Sequence, residues 1–485
     1  MLCVALYIIQ AMLLCSVAVR DVKHPVRALA WLIIGIVLPF VGVGLYFVLY
    51  RRLPAQSRKQ TGESPGKPDS TEVPPAISTP SGRNICRIVT HMTRAPAVPA
   101  ECTVYSDGRA MYHALLRALR QARHSIDLEF YIFRADHIGM RVVDVLCEQA
   151  RAGVRVRWIR DGVGSRSLPK AVVDRCEAAG IRCRVFYPVR FPWLSPRLNR
   201  RDHRKIVVVD GERAFVGGMN IGDEYTGQKD DVGRWRDTHL HIVGGGACRE
   251  LSRVFERAWT LSSEERRRNN PSRHPRAVTD RLATEFSAEV APPAHRPPPS
   301  STHQGWVQTV DSGPDYPIPS VRNLFFAGLT QSESSVDIIT PYFIPDTDLL
   351  TAMKVAVHKG VRVRLLVPEQ PDHAAVGYVS RTFYPELLRA GIDVYLYQEG
   401  VLHAKVMIID GETCVLGAAN YDLRSFRTNY EVCQVVYSQA LANYLERQFE
   451  ADLQRSTPLN ARWLANIPPW QRPVERVARL FAPLL

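Results

Sequence analysis

Two histidine-containing segments of this chain have the residue types and spacing of a site for phosphoryl chemistry. The first reads DHRKIVVVDGERAFVGGMN from residue 202, and the second reads LHAKVMIIDGETCVLGAAN from residue 402. A lone His-x-Lys pair would carry little weight, but two full-length copies with the same internal spacing indicate a duplicated site. The shared pattern His-x-Lys-x4-Asp-x6-Gly-x-x-Asn comprises His203, Lys205, Asp210, Gly217 and Asn220, and then His403, Lys405, Asp410, Gly417 and Asn420.

These side chains suit the transfer of a phosphoryl group. Imidazole titrates near neutrality and has two separately usable nitrogens, so one histidine can act as nucleophile and the other as general acid. The ammonium groups of Lys205 and Lys405 and the amides of Asn220 and Asn420 can hold phosphoryl oxygens in the transition state. No carboxylate cluster for Mg²⁺ accompanies either copy, and the ten cysteines form no CxxC pair. We therefore predict a site without a metal or another cofactor.

The residues after each lysine indicate that the motif begins on a buried strand. Residues 206–209 and 406–409 are entirely apolar. Side chains alternate along a strand, so each histidine and the lysine two residues later point to one face and can converge on one ligand. Asp210 and Asp410 lie seven residues after their histidine, on the opposite parity. We expect these two aspartates of the catalytic motif to support the fold of the site more than to touch phosphorus.

The elements around the motif recur in the same order in two blocks. Each block has a short strand pattern, then a helix ending in a glycine that starts a strand, then a second such unit, and then the motif. The recurring segments are SIDLEFYIF and SVDIITPYFI, RAGVRVRWIRD and HKGVRVRLLVP, and CEAAGIRCRVFYP and LLRAGIDVYLYQ. Strands alternating with helices, twice over, predict an α/β protein with two pseudo-symmetric domains, each a mixed sheet flanked by helices, packed together.

Two segments of low complexity divide the chain. Residues 53–82 are rich in Pro, Gly and Ser, and residues 261–305 contain the run EERRR and three consecutive prolines, so both are predicted to be linkers. The first domain is then predicted at 83–260 and the second at 306–485.

Before the first linker, residues 1–52 have the composition of a membrane anchor. Residues 2–19 and 28–50 contain no charge, and each is long enough to cross a hydrocarbon layer as a helix. We therefore expect a transmembrane helical hairpin. The basic residues after the second span favour a main domain on the cytoplasmic side of the membrane. The formal charge of +14 also favours an anionic partner, without deciding which.

Phe186-Tyr187-Pro188 and Phe191-Pro192-Trp193 precede the first motif, among arginines. They could form an apolar lip that dips into the bilayer beside basic residues, which would then lie at lipid headgroups. The alternative is that the aromatic side chains pack in the core. The arginines concerned are Arg190, Arg197, Arg200 and Arg201.

The duplicated motif resembles that of the phospholipase D superfamily, and its surroundings resemble the bacterial cardiolipin synthase branch. The stretches that carry this resemblance are FYPVRFPWLSPRLNRRDHRKIVVVDG, GGMNIGDEYTG, WRDTHLHIVG, VQTVDSGPD, PYFIPD and NYDLRSFRTNYE. The resemblance implies transfer of a phosphatidyl group between two phosphatidylglycerol molecules, giving cardiolipin and glycerol through a phosphatidyl-histidine intermediate. Within it we assign His203 as nucleophile and His403 as acid and base, although the pseudo-symmetry leaves the reverse assignment open.

A nucleophilic imidazole needs an acceptor that orients its far nitrogen. Asp237 and Glu431 occupy corresponding places in the strand after each motif, and family members also carry a carboxylate there. The chain departs from the family at Ala418 and Gly218, where many members have Ser or Thr. That departure puts the rate and the choice of acceptor in doubt rather than the reaction class.

Two other functions remain open from the sequence. One is a hydrolase of the same superfamily that uses water to cleave a phospholipid or a nucleic acid. The other is a non-catalytic, membrane-tethered protein that binds anionic lipid. The charge-free spans favour lipid over nucleic acid, so phosphatidylglycerol and the membrane are the expected partners. The oligomeric state is not predicted.

Overall fold

The computed structural model describes residues 10–14, 31–36, 72–189, 199–227, 233–269 and 302–465, together with isolated positions beyond them. The chain divides into two compact units. One comprises Met1–Gly66 with Val189–Arg200, and the other comprises Lys67–Pro188 with Arg201–Leu485.

In the smaller unit, residues 10–14 and 31–36 are helical, and the Gln10 side-chain amide donates a 2.9 Å hydrogen bond to the Gly35 carbonyl. Within the described ranges, no helix is long and apolar enough to cross a membrane. Most of the two predicted spans, residues 2–19 and 28–50, lies outside those ranges.

The larger unit begins with helix α1 (Pro80–Thr93) and then contains two halves, which we call the first half (residues 98–269) and the second half (residues 302–465). The first half contains β1 (Val98–Tyr105), α2 (Gly108–Arg120), β2 (Ser125–Phe130), α3 (His137–Arg151), β3 (Arg155–Asp161), α4 (Lys170–Ala178), β4 (Arg182–Phe186), β5 (Lys205–Val209), β6 (Arg213–Gly217), β7 (Trp235–Arg236), β8 (His239–Val243) and α5 (Gly245–Asn269).

The second half repeats this order. It contains β9 (Thr302–Ser312), α6 (Ser320–Gln331), β10 (Ser335–Ile339), β11 (Phe343–Ile344), α7 (Thr347–His358), β12 (Arg362–Pro368), α8 (Ala374–Arg381), α9 (Tyr384–Arg389), β13 (Asp393–Tyr397), β14 (Val401–Leu402), β15 (Val406–Ile409), β16 (Thr413–Gly417), β17 (Tyr421–Asp422), α10 (Leu423–Arg427), β18 (Glu431–Tyr437), α11 (Gln439–Leu453), β19 (Ser456–Pro458) and α12 (Ala461–Ala465).

One mixed sheet runs through both halves. Among the described residues its strands follow the order β19-β13-β12-β10-β15-β16-β18-β9-β1-β8-β6-β5-β2-β3-β4. Read outward from the centre, β1-β8-β6-β5-β2-β3-β4 matches β9-β18-β16-β15-β10-β12-β13 strand for strand. The central pair β1 and β9 is antiparallel, with Val98 opposite Val307 and Thr103 opposite Thr302. The predicted α/β fold with two pseudo-symmetric halves is therefore confirmed.

Local sequence explains why corresponding elements form in both halves. Asp136 and Asp346 each cap the next helix by accepting a hydrogen bond from the backbone N–H three residues later, at 3.0 Å in both cases. Buried bidentate ion pairs, Arg157 with Asp127 and Arg364 with Asp337, join neighbouring parallel strands at matching positions. The polar residues of these strands thus support the same architecture twice.

Helix α1 packs on the second half although it precedes the first half in sequence. Ile85 and Val89 of this helix are fully buried in the core cluster that contains Leu324 and Val336. Just before the helix, the backbone N–H groups of Ser78 and Thr79 donate to the carboxylate of Glu412 at 2.7 and 2.9 Å. Residues 77–93 therefore belong structurally to the second half, because they cover its apolar surface.

Candidate active site

The segments that lead into the two histidines each pair with a strand of the opposite half. The His203 N–H donates to the Tyr430 carbonyl at 3.0 Å, and the Tyr430 N–H donates to the Arg201 carbonyl at 2.8 Å. On the other side, the His403 N–H donates to the Arg236 carbonyl at 2.7 Å. Each histidine is thus fixed by backbone hydrogen bonds to the residue that precedes a carboxylate of the other half.

The two imidazoles are engaged by those carboxylates. His203 Nδ1 lies 3.0 and 3.1 Å from the two oxygens of Glu431. His403 Nδ1 lies 2.6 Å from Asp237 Oδ2. Nδ1–H donating to a carboxylate fixes the tautomer and leaves Nε2 available to attack or to carry a proton. The sequence singled out both carboxylates, but the structure adds that each histidine takes its partner from the other half.

Both motif lysines are buried beside their histidines. Lys205 Nζ donates to the His203 carbonyl at 2.6 Å. Lys405 Nζ donates to the His403 carbonyl and lies 2.9 Å from His403 Nδ1. Burial lowers the pKa of Lys205 to about 7 and that of Lys405 to about 8, against the opposing pull of nearby carboxylates. An anionic phosphate bound here would favour the ammonium forms again.

The two histidine–carboxylate pairs differ in their electrostatics. Burial, followed by the charges of Lys205 and Lys405, lowers the pKa of His203 well below its ordinary value. Its partner Glu431 has a pKa raised to about 7, mainly by burial. Burial would also raise the pKa of Asp237, but the charges of His403 and Lys405 outweigh it and hold that pKa below its ordinary value. The Asp237 carboxylate is therefore the better counter-ion for a protonated imidazole.

Aromatic rings flank both imidazoles. The Tyr131 ring meets the His203 ring edge-on, with centroids 5.1 Å apart. The Trp235 ring lies 5.5 Å from that of His403 and packs in turn against Tyr225 at 4.8 Å. These rings restrict the orientation of both histidines. Tyr131 stands in the stretch SIDLEFYIF and Trp235 in WRDTHLHIVG, and no feature of either stretch indicated that these rings contact the histidines.

The two motif asparagines are buried at the ends of β6 and β16. Asn220 Oδ1 accepts from the Ile132 N–H at 3.0 Å, and its amide group donates to the Tyr225 hydroxyl at 2.7 Å. The Asn420 N–H donates to Ser425 Oγ at 3.1 Å, and the Asn420 side-chain oxygen has no partner among the described residues. Asn220 thus holds the loop after β2 in place, and phosphate binding by both asparagines stays a prediction.

The motif aspartates lie at the far end of their strands, roughly 20 Å along the chain from the histidines. Asp210 Oδ1 accepts from the N–H groups of His124 and Ser125 at 2.7 and 2.8 Å, and Oδ2 accepts from that of Arg123 at 2.9 Å. Asp410 does the same for residues 333–335. Both have a left-handed backbone, with φ of 54° and 50°. This position agrees with a supporting role and places them outside the group that could contact phosphorus.

The departure at residue 218 has a steric explanation. A Cβ atom added to Gly218 would lie 2.1 Å from Asp237 Oδ1 and 2.8 Å from its carboxyl carbon. Gly218 is therefore required by the position of Asp237. At the corresponding position of the second half, the Ala418 methyl group is fully buried without displacing Glu431 from His203.

A buried charged cluster, formed by Glu129, Asp202 and Arg204, lies behind His203. Arg204 Nη1 donates to Glu129 Oε1 at 3.2 Å, and its guanidinium lies over the Tyr430 ring at 5.2 Å. Burial and the charge of Asp202 raise the pKa of Glu129 well above its ordinary value. Leu402, Ala404 and Ile339 occupy the corresponding places in the second half. The charged residues on either side of His203 in DHRK were the available sequence signal for this cluster.

The proposed membrane lip is wrong for its first aromatic residue. Phe186 is fully buried, and its ring lies 5.0 Å from that of Tyr430. Arg201 was grouped with the headgroup arginines, but it is also buried and pairs with Asp161 at 3.3 Å. Phe186 packs against the second half, and neither side chain is available to a bilayer. Tyr187 and Pro188 are half-buried, and the Tyr187 hydroxyl lies 3.1 Å from that of Tyr430. The second aromatic group of the lip, residues 191–193, lies outside the described residues.

Comparisons with known proteins show the family to which this chain belongs. The family described as "Cardiolipin synthase, PLD-like domain" matches residues 115–259 and 326–453. A cardiolipin synthase of Geobacillus thermodenitrificans (strain NG80-2) is 36% identical over 474 residues, covering 96% of this chain and 90% of the relative. Cardiolipin synthase 2 of Bacillus cereus (strain ATCC 14579) is 39% identical over 385 residues, covering 79% of this chain and 71% of the relative.

Among solved structures, the phosphatidylserine synthase of Haemophilus influenzae Rd KW20 has the same fold. It superposes with a TM-score of 0.61 at 15% sequence identity, covering 83% of this chain and 100% of that chain. The similarity at this level of identity concerns the fold alone.

Proposed function

This chain belongs to the cardiolipin synthase family of phospholipase D-like phosphatidyltransferases, and we propose that it transfers a phosphatidyl group from one phosphatidylglycerol molecule to another. The products are cardiolipin and glycerol. The observation that carries the proposal is the crossed pair of buried histidine–carboxylate contacts, His203 with Glu431 and His403 with Asp237. A two-step transfer needs two such imidazoles on opposite sides of one phosphorus.

In the first step, Nε2 of His203 attacks the phosphorus of the donor lipid. A bond forms between nitrogen and phosphorus, and the bond from phosphorus to the glycerol oxygen breaks. His403 Nε2 gives its proton to that oxygen, so glycerol leaves as a neutral alcohol. The phosphatidyl group remains on His203.

In the second step, His403 is neutral and accepts the proton of a hydroxyl on the second phosphatidylglycerol. The hydroxyl oxygen attacks phosphorus, the bond to His203 breaks, and cardiolipin is released. Both histidines return to their starting states. The mechanism needs no other proton donor or acceptor.

The assignment of the two histidines follows from their partners. A nucleophile must be neutral, and His203 has the more strongly lowered pKa, through burial and two lysine charges. A general acid must carry a proton. Burial and the charge of Lys405 lower the pKa of His403, and the Asp237 carboxylate, 2.6 Å from its Nδ1, opposes that shift and favours the protonated form. We therefore retain His203 as nucleophile and His403 as acid and base.

The lysines supply the positive charge for the transferred group. Lys205 and Lys405 are held on the histidine side of β5 and β15 by hydrogen bonds to the histidine carbonyls. In this position they can bind the non-bridging oxygens of the phosphate, whose charge grows in the transition state. No step draws on a metal ion or another cofactor.

We also propose that residues 1–52 anchor the chain in a bacterial inner membrane, with the larger unit on the cytoplasmic side. The support is the pair of charge-free segments, residues 2–19 and 28–50, and the basic residues that follow them. A membrane anchor would keep the site close to its lipid substrate.

Reconstitution tests the reaction. The purified chain is added to mixed micelles of detergent and phosphatidylglycerol, and the products are identified by mass. We expect cardiolipin and glycerol in equal amounts. Phosphatidic acid as the main product would assign a hydrolase instead, and DNA cleavage without lipid turnover would refute both lipid activities.

A lipid with a p-nitrophenol leaving group tests the two histidine roles, because this group departs without a proton donor. Quenching in denaturant at alkaline pH, which preserves a bond between histidine nitrogen and phosphorus, followed by intact-protein mass measurement should show a phosphatidyl adduct on the wild-type chain and on His403→Ala. The His203→Ala variant should carry none. The reverse pattern would exchange the two roles.

A further inference from the structure

The sheet brings two side chains that the motif does not include to the same edge as His403. Ile339, the last residue of β10, pairs with Val406 of β15 and with Leu366 of β12. Three neighbouring strands therefore place three segments at one edge of the sheet, within about 10 Å of one another. These segments are the residues after β10, the residues after β12 and the histidine before β15. Tyr342 and Asp372 lie on the first two of these segments.

Tyr342 and Asp372 form a polar pair at this edge. The Tyr342 hydroxyl lies 2.8 and 2.9 Å from the two oxygens of Asp372. Tyr342 is half-buried and Asp372 is exposed, so the carboxylate remains accessible while the tyrosine holds it. In the part of the chain that the structure describes, no ion pair neutralises Asp372. The Asp372 carboxylate can still accept hydrogen bonds from a ligand, because a carboxylate has about four acceptor positions and Tyr342 does not fill them all.

Electrostatics agree that this pair borders the reacting groups. Burial lowers the pKa of His403 and of Lys405, and the negative charge of Asp372 opposes both shifts. Burial and then Asp372 raise the pKa of Tyr342 well above its ordinary value, and Asp422 and Tyr225 contribute to that rise. Tyr225 packs on Trp235, which packs on His403. Tyr342 and Asp372 thus line the His403 side of the site.

Among its described residues, the first half offers no equivalent pair. Ile132 occupies the place that corresponds to Tyr342, and Tyr131 covers His203. The two sides of the site therefore differ in polarity, and the side with the additional hydrogen-bond acceptor is that of the proposed acid and base.

We propose that Asp372, held by Tyr342, is the subsite for the glycerol headgroup and accepts a hydrogen bond from the hydroxyl next to the reacting one. This inference rests on the proposed function. In the first step the subsite holds the glycerol that leaves the donor, and in the second step it holds the glycerol of the acceptor, because the leaving and entering oxygens occupy the same place beside His403. The nearby ammonium groups of Lys205 and Lys405 favour a neutral diol over a cationic headgroup.

A competition between acceptors tests this subsite in the full-length chain. Phosphatidylglycerol micelles are supplied with equal amounts of deuterated glycerol and ethanol, and the ratio of deuterated phosphatidylglycerol to phosphatidylethanol is measured by mass. This ratio compares two fates of one intermediate, so a loss of folded protein does not move it. Asp372→Asn should lower the ratio about 10-fold, because an uncharged amide oxygen replaces the charged acceptor and the hydrogen bond becomes weaker.

Two further variants sharpen the result. Tyr342→Phe should lower the ratio by a smaller factor, because Asp372 stays but is no longer held. Asp393→Asn, which removes an exposed carboxylate at the opposite end of the sheet, should leave the ratio at the wild-type value.

A wild-type ratio in both Asp372→Asn and Tyr342→Phe would overturn the subsite. So would a lower total turnover at an unchanged ratio, which would mean that Asp372 acts only on the proton affinity of His403. A preference for ethanolamine as acceptor, lost in Asp372→Asn, would assign a cation site instead. Absence of cardiolipin from the wild-type reaction would refute the proposed function itself, and that readout is separate from the ratio.

Discussion

At the scale of single residues, the site is nearly symmetric in its side chains and asymmetric in their surroundings. Both imidazoles meet a buried carboxylate, but one is Asp and the other is Glu. The charged cluster of Glu129, Asp202 and Arg204 lies behind His203 alone. Environment, more than residue type, therefore separates a nucleophile from an acid in a duplicated motif.

Gly218 gives a residue-scale prediction. Gly218→Ala should lower kcat by about 100-fold or more, because the new methyl group occupies the place of Asp237 Oδ1 and moves this carboxylate away from His403. Steady-state rates on phosphatidylglycerol measure the effect, and circular dichroism checks the fold. Ala418→Gly is the matched control on the other side, and we expect its kcat to stay within about threefold of wild type. Equal rates for both variants would contradict this role of Gly218.

The buried lysines and Glu431 predict a narrow pH optimum. In the free enzyme, Glu431 becomes protonated as the pH falls through about 7, and the lysines lose their charge as the pH rises through about 7 to 8. His403 must also carry a proton, and burial lowers its pKa, so its titration contributes to the loss of activity on the alkaline side. The value of kcat/KM should therefore be greatest near pH 7 and fall on both sides.

Bound phosphate stabilises the ammonium forms, so the basic limb of kcat should lie at higher pH than that of kcat/KM. Initial rates from about pH 5 to pH 10 distinguish the two limbs. A kcat/KM that stays constant into the alkaline range would show that the lysine charges are not required.

At the scale of elements, the turns after β5 and β15 explain the motif aspartates. Each turn places an aspartate in a left-handed conformation whose carboxylate collects backbone N–H groups at the start of a neighbouring strand. Burial would raise the pKa of Asp210, but the N–H groups of Ser125, Arg123 and His124 hold it below its ordinary value. The register of β2 against β5 therefore depends on this carboxylate.

Asp210→Ala should lower the free energy of unfolding by about 1–2 kcal/mol, while turnover per folded molecule stays close to wild type. Asp210→Asn should cost less, because asparagine tolerates the left-handed conformation and keeps a carbonyl acceptor. Since the pKa of Asp210 is lowered, its contribution is present above about pH 4 and is lost as the pH falls through the lowered value.

Urea unfolding monitored by circular dichroism measures these differences, with Asp393→Ala as an exposed control that we expect to change stability by less than about 0.5 kcal/mol. Loss of turnover in a fully folded Asp210→Ala chain would instead indicate a direct catalytic role.

At the scale of the whole molecule, the two halves form one structure. The central strands β1 and β9 join their sheets, one apolar cluster contains Leu240 of the first half and Val432 of the second, and each histidine depends on a carboxylate across the junction. Helix α1 belongs to this structure, because its apolar side chains complete the core of the second half. The chain between the proposed anchor and β1 is therefore not all linker.

Two truncated chains test where the folded part of the larger unit begins. A chain that starts at residue 72 keeps the Glu412 contacts and helix α1, so it should fold and convert micellar phosphatidylglycerol while no longer sedimenting with membranes. A chain that starts at residue 95 loses Ile77, Ile85 and Val89 from the core, which should cost several kcal/mol and yield aggregated protein. Full activity of the shorter chain would show that α1 is dispensable for the fold.

The sequence by itself determined the α/β class, the duplication and the residues of both motifs, because hydrophobic periodicity and motif spacing are local properties that survive in the order of the residues. It also identified Asp237 and Glu431. Only the tertiary structure decided that these carboxylates cross between the halves, that Gly218 makes room for Asp237, and that Phe186 and Arg201 are buried. It also brought Asp372 to the same edge of the sheet as His403. Each of these depends on which distant strands become neighbours. The crossed carboxylates depend on the central pairing of β1 with β9, which joins residues about 200 positions apart.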